Sequence, residues 1–402
     1  MNILVSAIAC GHGLGSEPGV GWNTAMSLSE HNQVTVLTSS RCKDRNDAFL
    51  ANSTIPFAIE YFDIGGTEKS VTSRQALRWH KSALERAQSI VRSKSIEAAI
   101  HTTFNQYRLP FVASRLGIPY VIGPVGGAET VPLCLMPGLP FNTLLKETFR
   151  YTPLDTIPHL FWRDFPNQSH GHLLCSCPAT MARLRPFWKE GNISVLPAIS
   201  IDDTEIITEI NQAPREPYIV YAGRIIPEKG ISLLFEALGR CKTNGTPIKC
   251  KIIGAKDADE LAQVRQLVEK HHLPLGSIEV IPFIERSELK EILTSASAFV
   301  YPAFRDSGSM AVLEALAVGA WPICLDISSQ HWLPPGLGCK IKPSSFHGVA
   351  DQLATAISDS IFRNVRNPAW NEQRIDFLRT QMTWKAKARD LNRILAMAFH
   401  GN

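Results

Sequence analysis

Short, nearly continuous apolar runs such as Ile3-Leu4-Val5, Val34-Thr35-Val36-Leu37 and Tyr218-Ile219-Val220-Tyr221 recur along this chain. Between them lie longer stretches whose apolar positions follow a helical period. Runs apolar at every position suit parallel strands covered on both faces. In the first half, strands are predicted near 2–8, 33–38, 57–62, 97–101, 119–122, 172–175 and 193–196, with helices over 22–30, 73–93, 107–116, 142–150 and 178–188. The pattern then restarts. Strands are predicted near 218–222, 248–253, 278–281, 297–301, 321–325 and 339–341, with helices over 230–242, 257–271, 286–294, 309–318 and 346–359. The acidic, proline-containing stretch Ala198–Pro217 reads as a hinge, and 372–399 as one or two helices around Trp384. Such alternation predicts an α/β protein with parallel sheets, in two domains with a cleft between them.

Length and composition leave that picture intact. A chain of 402 residues has room for two domains that each bury a core. The net charge of +4 is too weak for a nucleic-acid footprint, yet compatible with an anionic surface or acceptor. Nine scattered cysteines, odd in number and without metal-ligand spacing, favour reduced thiols over a disulfide scaffold. The opening Met-Asn-Ile-Leu-Val-Ser lacks a basic region and reads as a first buried strand, not a signal peptide. No run approaches the ~20 apolar residues of a spanning helix. A cytoplasmic protein is expected, with contact at the inner face of an anionic membrane left open.

Candidate chemistry concentrates in residues 301–326. An apolar strand ends at Pro302, a polar loop carries Asp306 and Gly308, and a helix bears Glu314 between Leu313 and Ala315. A glutamate on a largely apolar helix needs a partner. The helix N-terminus offers free N–H groups and partial positive charge to an anion. Acid, anion cradle and second acid suit a ligand built of hydroxyls, phosphates and more hydroxyls, the order of a nucleotide sugar. A plain buried helix after a strand is the alternative.

This segment resembles the donor motif of retaining glycosyltransferases of family 4, an acid, seven residues, a glutamate and then Ala-x-Ala-x-Gly-x-Pro. The start Asp306-Ser307-Gly308-Ser309 replaces the more usual Glu-Gly-Phe-Gly and is similar to an Asp-Ser-Gly subgroup. The resemblance implies that Asp306 meets sugar hydroxyls, that Ser307, Gly308, Ser309 and Met310 meet sugar and phosphate through their amides, and that Glu314 holds a ribose. Gly223-Arg224-x4-Lys229-Gly230 resembles the same family's diphosphate motif, in which Arg224 and Lys229 would neutralise the leaving diphosphate without a metal. Phe283 and Ile284 fall where its base-binding loop would lie. The departure at Lys251-Ile252-Ile253-Gly254-Ala255-Lys256 is a missing second glycine.

Two loops of the first half carry weaker signals. Gly11 to Trp22, with Gly15, Glu17 and Gly19, is glycine-rich but lacks dinucleotide spacing; the resemblance implies a loop facing acceptor or phosphate. Gly126, Gly127 and Glu129 follow a later strand, where many relatives place a histidine that this chain lacks. His101 ends the preceding strand and could stand in for it or serve as a core histidine. Helix 73–93 shows Arg74, Arg78 and Lys81 on one face, either solvated or phosphate-facing. Segment 131–165 is unusually apolar and reads as a lid, an interfacial element or part of the core.

The resemblance implies a GT-B fold, two Rossmann-like domains facing across a cleft. Residues 1–200 would form the acceptor side, 201–379 the donor domain, and helix 380–402 would pack back on the first. It implies transfer from a UDP- or GDP-linked sugar to a carbohydrate or lipid-linked acceptor, in bacterial surface polysaccharide or glycolipid synthesis. No cofactor and no metal are expected. The competing class is a non-catalytic GT-B-shaped binding subunit of a transferase complex.

Overall fold

The computed structural model describes residues 1–66, 71–109, 111–152, 170–209, 216–362 and 367–400. Among the described residues the strands are β1 (Asn2–Ser6), β2 (Gln33–Thr38), β3 (Phe57–Tyr61), β4 (Ala98–His101), β5 (Tyr120–Val125), β6 (Gly171–Cys175), β7 (Ile193–Val195), β8 (Glu216–Ala222), β9 (Lys249–Ala255), β10 (Ile278–Pro282), β11 (Ala296–Tyr301), β12 (Trp321–Leu325) and β13 (Cys339–Ile341). Helices of the first half are α1 (Ser16–Leu28), α2 (Lys43–Leu50), α3 (Ser73–Ser93), α4 (Phe141–Arg150) and α5 (Pro178–Leu184). Those of the second are α6 (Ile231–Thr243), α7 (Ala258–Lys270), α8 (Arg286–Ser295), α9 (Met310–Ala317), α10 (Phe346–Phe362), α11 (Pro368–Phe377) and α12 (Trp384–His400).

All ladders are parallel, in sheets ordered β3-β2-β1-β4-β5-β6-β7 and β10-β9-β8-β11-β12-β13. Every residue of β5 and of β11 is buried, which accords with their largely apolar sequences; Ser297 is the polar exception in β11. In each sheet the strand order turns back on itself once, between β1 and β4 and between β8 and β11. At such a switch point neighbouring loops leave the strands' carboxyl ends in opposite directions and open a crevice.

The chain divides into two compact units. One comprises Met1–Ala128, Pro153–Ser200 and Trp384–Asn402; the other comprises Glu129–Thr152 and Ile201–Thr383. In the first, α12 lays Ala388, Leu391, Ile394 and Leu395 into one core with Trp22, Ala25 and Leu28 of α1. In the second, Val131, Leu135, Met136 and Leu139 pack in one core with Leu234, Leu238 and Leu353. Residues 129–152 therefore leave the 1–200 domain in which the sequence reading put them, because their apolar side chains are buried in the other unit's core. Within 131–165, Leu160, Phe161, Trp162 and Phe165 lie outside the described residues.

Three local differences have identifiable causes. α1 starts at Ser16 rather than near 22, so Glu17 and Gly19 are helical and not loop residues. Gly19 and Gly21 are poor helix formers, but a Cβ on them would come 2.0 Å from Leu14 O and 2.2 Å from Ala9 O. Close backbone approach decides those positions. The helix predicted over 107–116 reduces to a 3-10 turn at Ala113–Arg115, since the sequence there carries Pro110, a helix breaker. α2 went unpredicted because Lys43-Asp44-Arg45-Asn46-Asp47 shows no apolar period.

One buried cation ties the second unit together. The guanidinium of Arg374, fully buried on α11, donates to Leu316 O at 2.8 Å and Ala317 O at 2.7 Å, closing the carboxyl end of α9. It also donates to Ile207 O and to Asn371 Oδ1. A cation at a helix carboxyl end satisfies orphan carbonyls and opposes the dipole. Arg374→Ala leaves several buried carbonyls short of a donor. It should lower the free energy of unfolding by about 3 kcal/mol in a denaturant titration, with Arg374→Lys in between.

Candidate active site

The loops after β8 and β11 meet because those strands pair in register, Ile219 beside Ala298 and Val220 beside Phe299. After β8 the chain turns through Pro227–Lys229 into Gly230, which has φ of 72° and stands so close to the next loop that a Cβ would lie 1.9 Å from Pro302 O. Only glycine fits there. Lys229 is thereby carried against the loop 302–309. Its Nζ lies 2.9 Å from Asp306 Oδ2 and donates to the Tyr301 hydroxyl at 2.7 Å. Tyr301 in turn donates to Asp306 Oδ2 at 2.7 Å. Burial, and then the Asp306 carboxylate, push the Tyr301 phenol well above its ordinary range, so it remains a donor.

Asp306 is further enclosed by its own loop. Ser307 N donates to Oδ1 at 2.8 Å, Gly308 N at 3.4 Å, and the Ser309 hydroxyl reaches Oδ2 at 3.3 Å. Gln330 Nε2 donates to that hydroxyl. Arg305 next door pairs with Glu147 of α4 at 3.1 Å and with Glu228 at 3.7 Å, and Glu147 is only 1% exposed. Met310 opens α9 just beyond, half-buried.

Glu314, on α9, is partnered differently. Its Oε1 accepts from Arg286 Nε at 2.6 Å, and Arg286 also reaches Glu205 Oε2 at 2.8 Å. Burial raises the Glu314 carboxyl, Arg286 opposes the rise and Glu205 adds to it. Arg224 is exposed, with the Tyr221 hydroxyl donating to its carbonyl at 2.9 Å. Gly223 N donates to Ile253 O at 3.0 Å, tying the start of the loop after β8 to β9. Phe283 is 77% exposed and Ile284 half-buried between β10 and α8, so Phe283 is not a core aromatic.

The first unit holds most of the other candidates. Gly15 caps α1, and Glu17 Oε2 accepts from Phe104 N at 2.6 Å. Burial pushes the Glu17 carboxyl up, against that bond. His101 is fully buried, its nitrogens 3.2 Å from Ser6 Oγ and 3.1 Å from Thr103 O. Burial lowers its pKa to about 3, which makes it a neutral, satisfied core histidine. Gly126 N donates to Asn105 O at 2.8 Å, and Gly127 follows with φ of 98°. Glu129 is buried and belongs to the second unit.

With that geometry in place, residues 202–365 match the family model described as glycosyl transferases group 1. Over those residues the chain is similar to group 1 glycosyltransferases. The chain is 27% identical over 173 residues to an alpha-maltose-1-phosphate synthase of Mycobacterium tuberculosis, covering 42% of this chain and 43% of that protein. It is 22% identical over 185 residues to the O-antigen chain mannosyltransferase B of Escherichia coli, covering 42% and 48%. The match thus spans less than half the length of either relative. Among solved structures, sucrose-phosphate synthase from Thermosynechococcus elongatus superposes with TM-score 0.67 at 15% identity, covering both chains in full. At that identity the likeness establishes the fold, two Rossmann-like α/β units of the GT-B type.

Sequence reasoning singled out Lys229 and Asp306 but missed Tyr301, the hydroxyl between them. It also missed Arg286 and Glu205, the partners of Glu314. Tyr301 closes the apolar strand just before the motif loop, and a polar-tipped aromatic there was the available signal. Tyr301→Phe removes a buried hydroxyl that donates to Asp306 and accepts from Lys229. It should cost about 2 kcal/mol of unfolding free energy by chemical denaturation.

Proposed function

We propose that the protein is a retaining, metal-independent glycosyltransferase of family 4, using a UDP- or GDP-linked sugar as donor. The observation that carries this reading is the contact between Lys229 and Asp306, two motif residues from separate loops brought to 2.9 Å over Tyr301. A cation beside a sugar-facing acid matches the charge order of a sugar diphosphate. The likeness of residues 202–365 to group 1 glycosyltransferases supports the same class.

In this reading Arg224 and Lys229 neutralise the diphosphate as the bond between the anomeric carbon and its phosphate oxygen breaks. Asp306 accepts hydrogen bonds from sugar hydroxyls, with the amides of Ser307 to Met310 at the phosphate and sugar. Glu314 accepts from ribose hydroxyls, and the backbone at Phe283 and Ile284 meets the base. An acceptor hydroxyl attacks the anomeric carbon on the face the diphosphate leaves, forming the new glycosidic bond with retained configuration. Its proton passes to the departing phosphate oxygen. The acceptor is a saccharide or lipid-linked saccharide, in surface polysaccharide or glycolipid synthesis. The O-antigen mannosyltransferase among the relatives supports that setting.

Contact with an anionic membrane surface has one support. Phe141, Leu145 and Phe149 recur at one-turn spacing along α4 and are 77%, 64% and 52% exposed. No helix among the described residues is long and apolar enough to cross a membrane. Wild type should therefore co-sediment with anionic vesicles, and the double variant F141E L145E should lose at least about fivefold in partition. Equal partition of both would remove α4 from the membrane.

Release of free nucleoside diphosphate from UDP- and GDP-sugars tests the activity itself. Arg224→Ala and Lys229→Ala should each lower kcat by roughly a hundredfold with the fold intact. Asp306→Asn should lower transfer while leaving nucleoside diphosphate affinity nearly unchanged. Donor binding without turnover in wild type, over a panel of saccharide acceptors, would instead favour a binding subunit.

A further inference from the structure

Arg286 is an unusual neighbour for a ligand-facing glutamate. It opens α8, a different element from the one bearing Glu314, and forks between two acids: Nε to Glu314 Oε1 at 2.6 Å and an Nη to Glu205 Oε2 at 2.8 Å. Glu205 lies on the segment whose Ile207 N donates to Ala317 O at 3.0 Å and whose Ile207 O accepts from Arg374. One acid is therefore anchored to the carboxyl end of α9, while the other projects from its middle. A small cavity opens beside the three charges, lined also by Lys290, Leu293 and Val318.

We propose that Arg286, braced by Glu205, is a positioning residue for the donor ribose: it aims the Glu314 carboxylate. The inference rests on the reading of Glu314 as the ribose acceptor. An ionised carboxylate offers lone pairs for about four hydrogen bonds, whereas a protonated one is itself partly a donor. Arg286 Nε takes one site on Oε1, which leaves Oε2 and a further lone pair for two adjacent ribose hydroxyls. Fixing the carboxylate before the ligand arrives reduces the ordering cost of binding. The two carboxylates share one guanidinium, and removing that cation leaves Glu205 and Glu314 repelling each other near a cavity. The charged groups facing Glu314 there are Arg286 and Lys290 of α8 and Glu205. Burial and Glu205 both push its carboxyl up, and Arg286 is the group that opposes them.

The decisive measurement is calorimetric affinity for UDP and GDP, with 2′,3′-dideoxy analogues of each, between pH 6 and pH 8. Arg286→Met should weaken binding of whichever nucleoside diphosphate the wild type takes by roughly tenfold. It should also move the pH below which affinity declines upward, because Glu314 then protonates more readily. The dideoxy analogue should bind wild type and variant alike. Adding Glu205→Gln to Arg286→Met should restore part of the lost affinity by removing the repulsion, a gain that a merely structural role for Arg286 would not give. Unchanged affinity in Arg286→Met across that pH range would overturn the proposal. So would equal losses for the ribose and dideoxy ligands, or no rescue by Glu205→Gln. Glu314→Gln separates the two levels. If it weakens binding while Arg286→Met does not, the ribose assignment stands and only the brace fails. If it changes nothing, the ribose assignment fails and takes the brace with it.

Discussion

Because β8 and β11 lie side by side and parallel, two loops far apart in sequence leave the sheet at the strands' carboxyl ends and in reach of each other. Gly230 then lets them touch, where any side chain would strike Pro302 O. From that approach follow the Lys229–Asp306 contact, the Tyr301 bridge beneath it and the direction in which α9 starts. The chemistry of the second unit thus depends less on any one charged residue than on a backbone contact that permits charges to meet.

Much of the fold was legible because parallel strands buried on both faces leave largely apolar runs, as in β5 and β11. Helices were harder to read where packing outweighed propensity. Gly19 and Gly21 look like loop residues until the backbone they approach is known. Residues 129–152 were assigned by sequence neighbourhood, and nothing in Leu135, Met136 or Leu139 says which of two cores they enter. In the candidate site, residue types and spacing singled out Asp306 and Glu314, and the family resemblance added Lys229. Their cross-links through Tyr301 and Arg286 join separate elements, and such pairings are set by tertiary register rather than local pattern.

The helix bearing Glu314 is restrained along its whole length. Asp306 and Ser309 order the loop before it, Arg286 holds its middle and Arg374 closes its end. A helix of eight residues has little stability of its own. Hydrogen bonds from other segments compensate, and a short element gains a fixed orientation.

The enclosure of Asp306 by the amides of Ser307 and Gly308, the Ser309 hydroxyl, Tyr301 and Lys229 has a thermodynamic corollary. A polar ligand entering there does not meet idle donors; it must trade places with an internal acceptor that already occupies them. Each new bond is then bought against an old one, so a tally of contacts in a complex would overstate the affinity. What the loop supplies in exchange is selectivity. A ligand that cannot satisfy every donor it displaces leaves the carboxylate where it is.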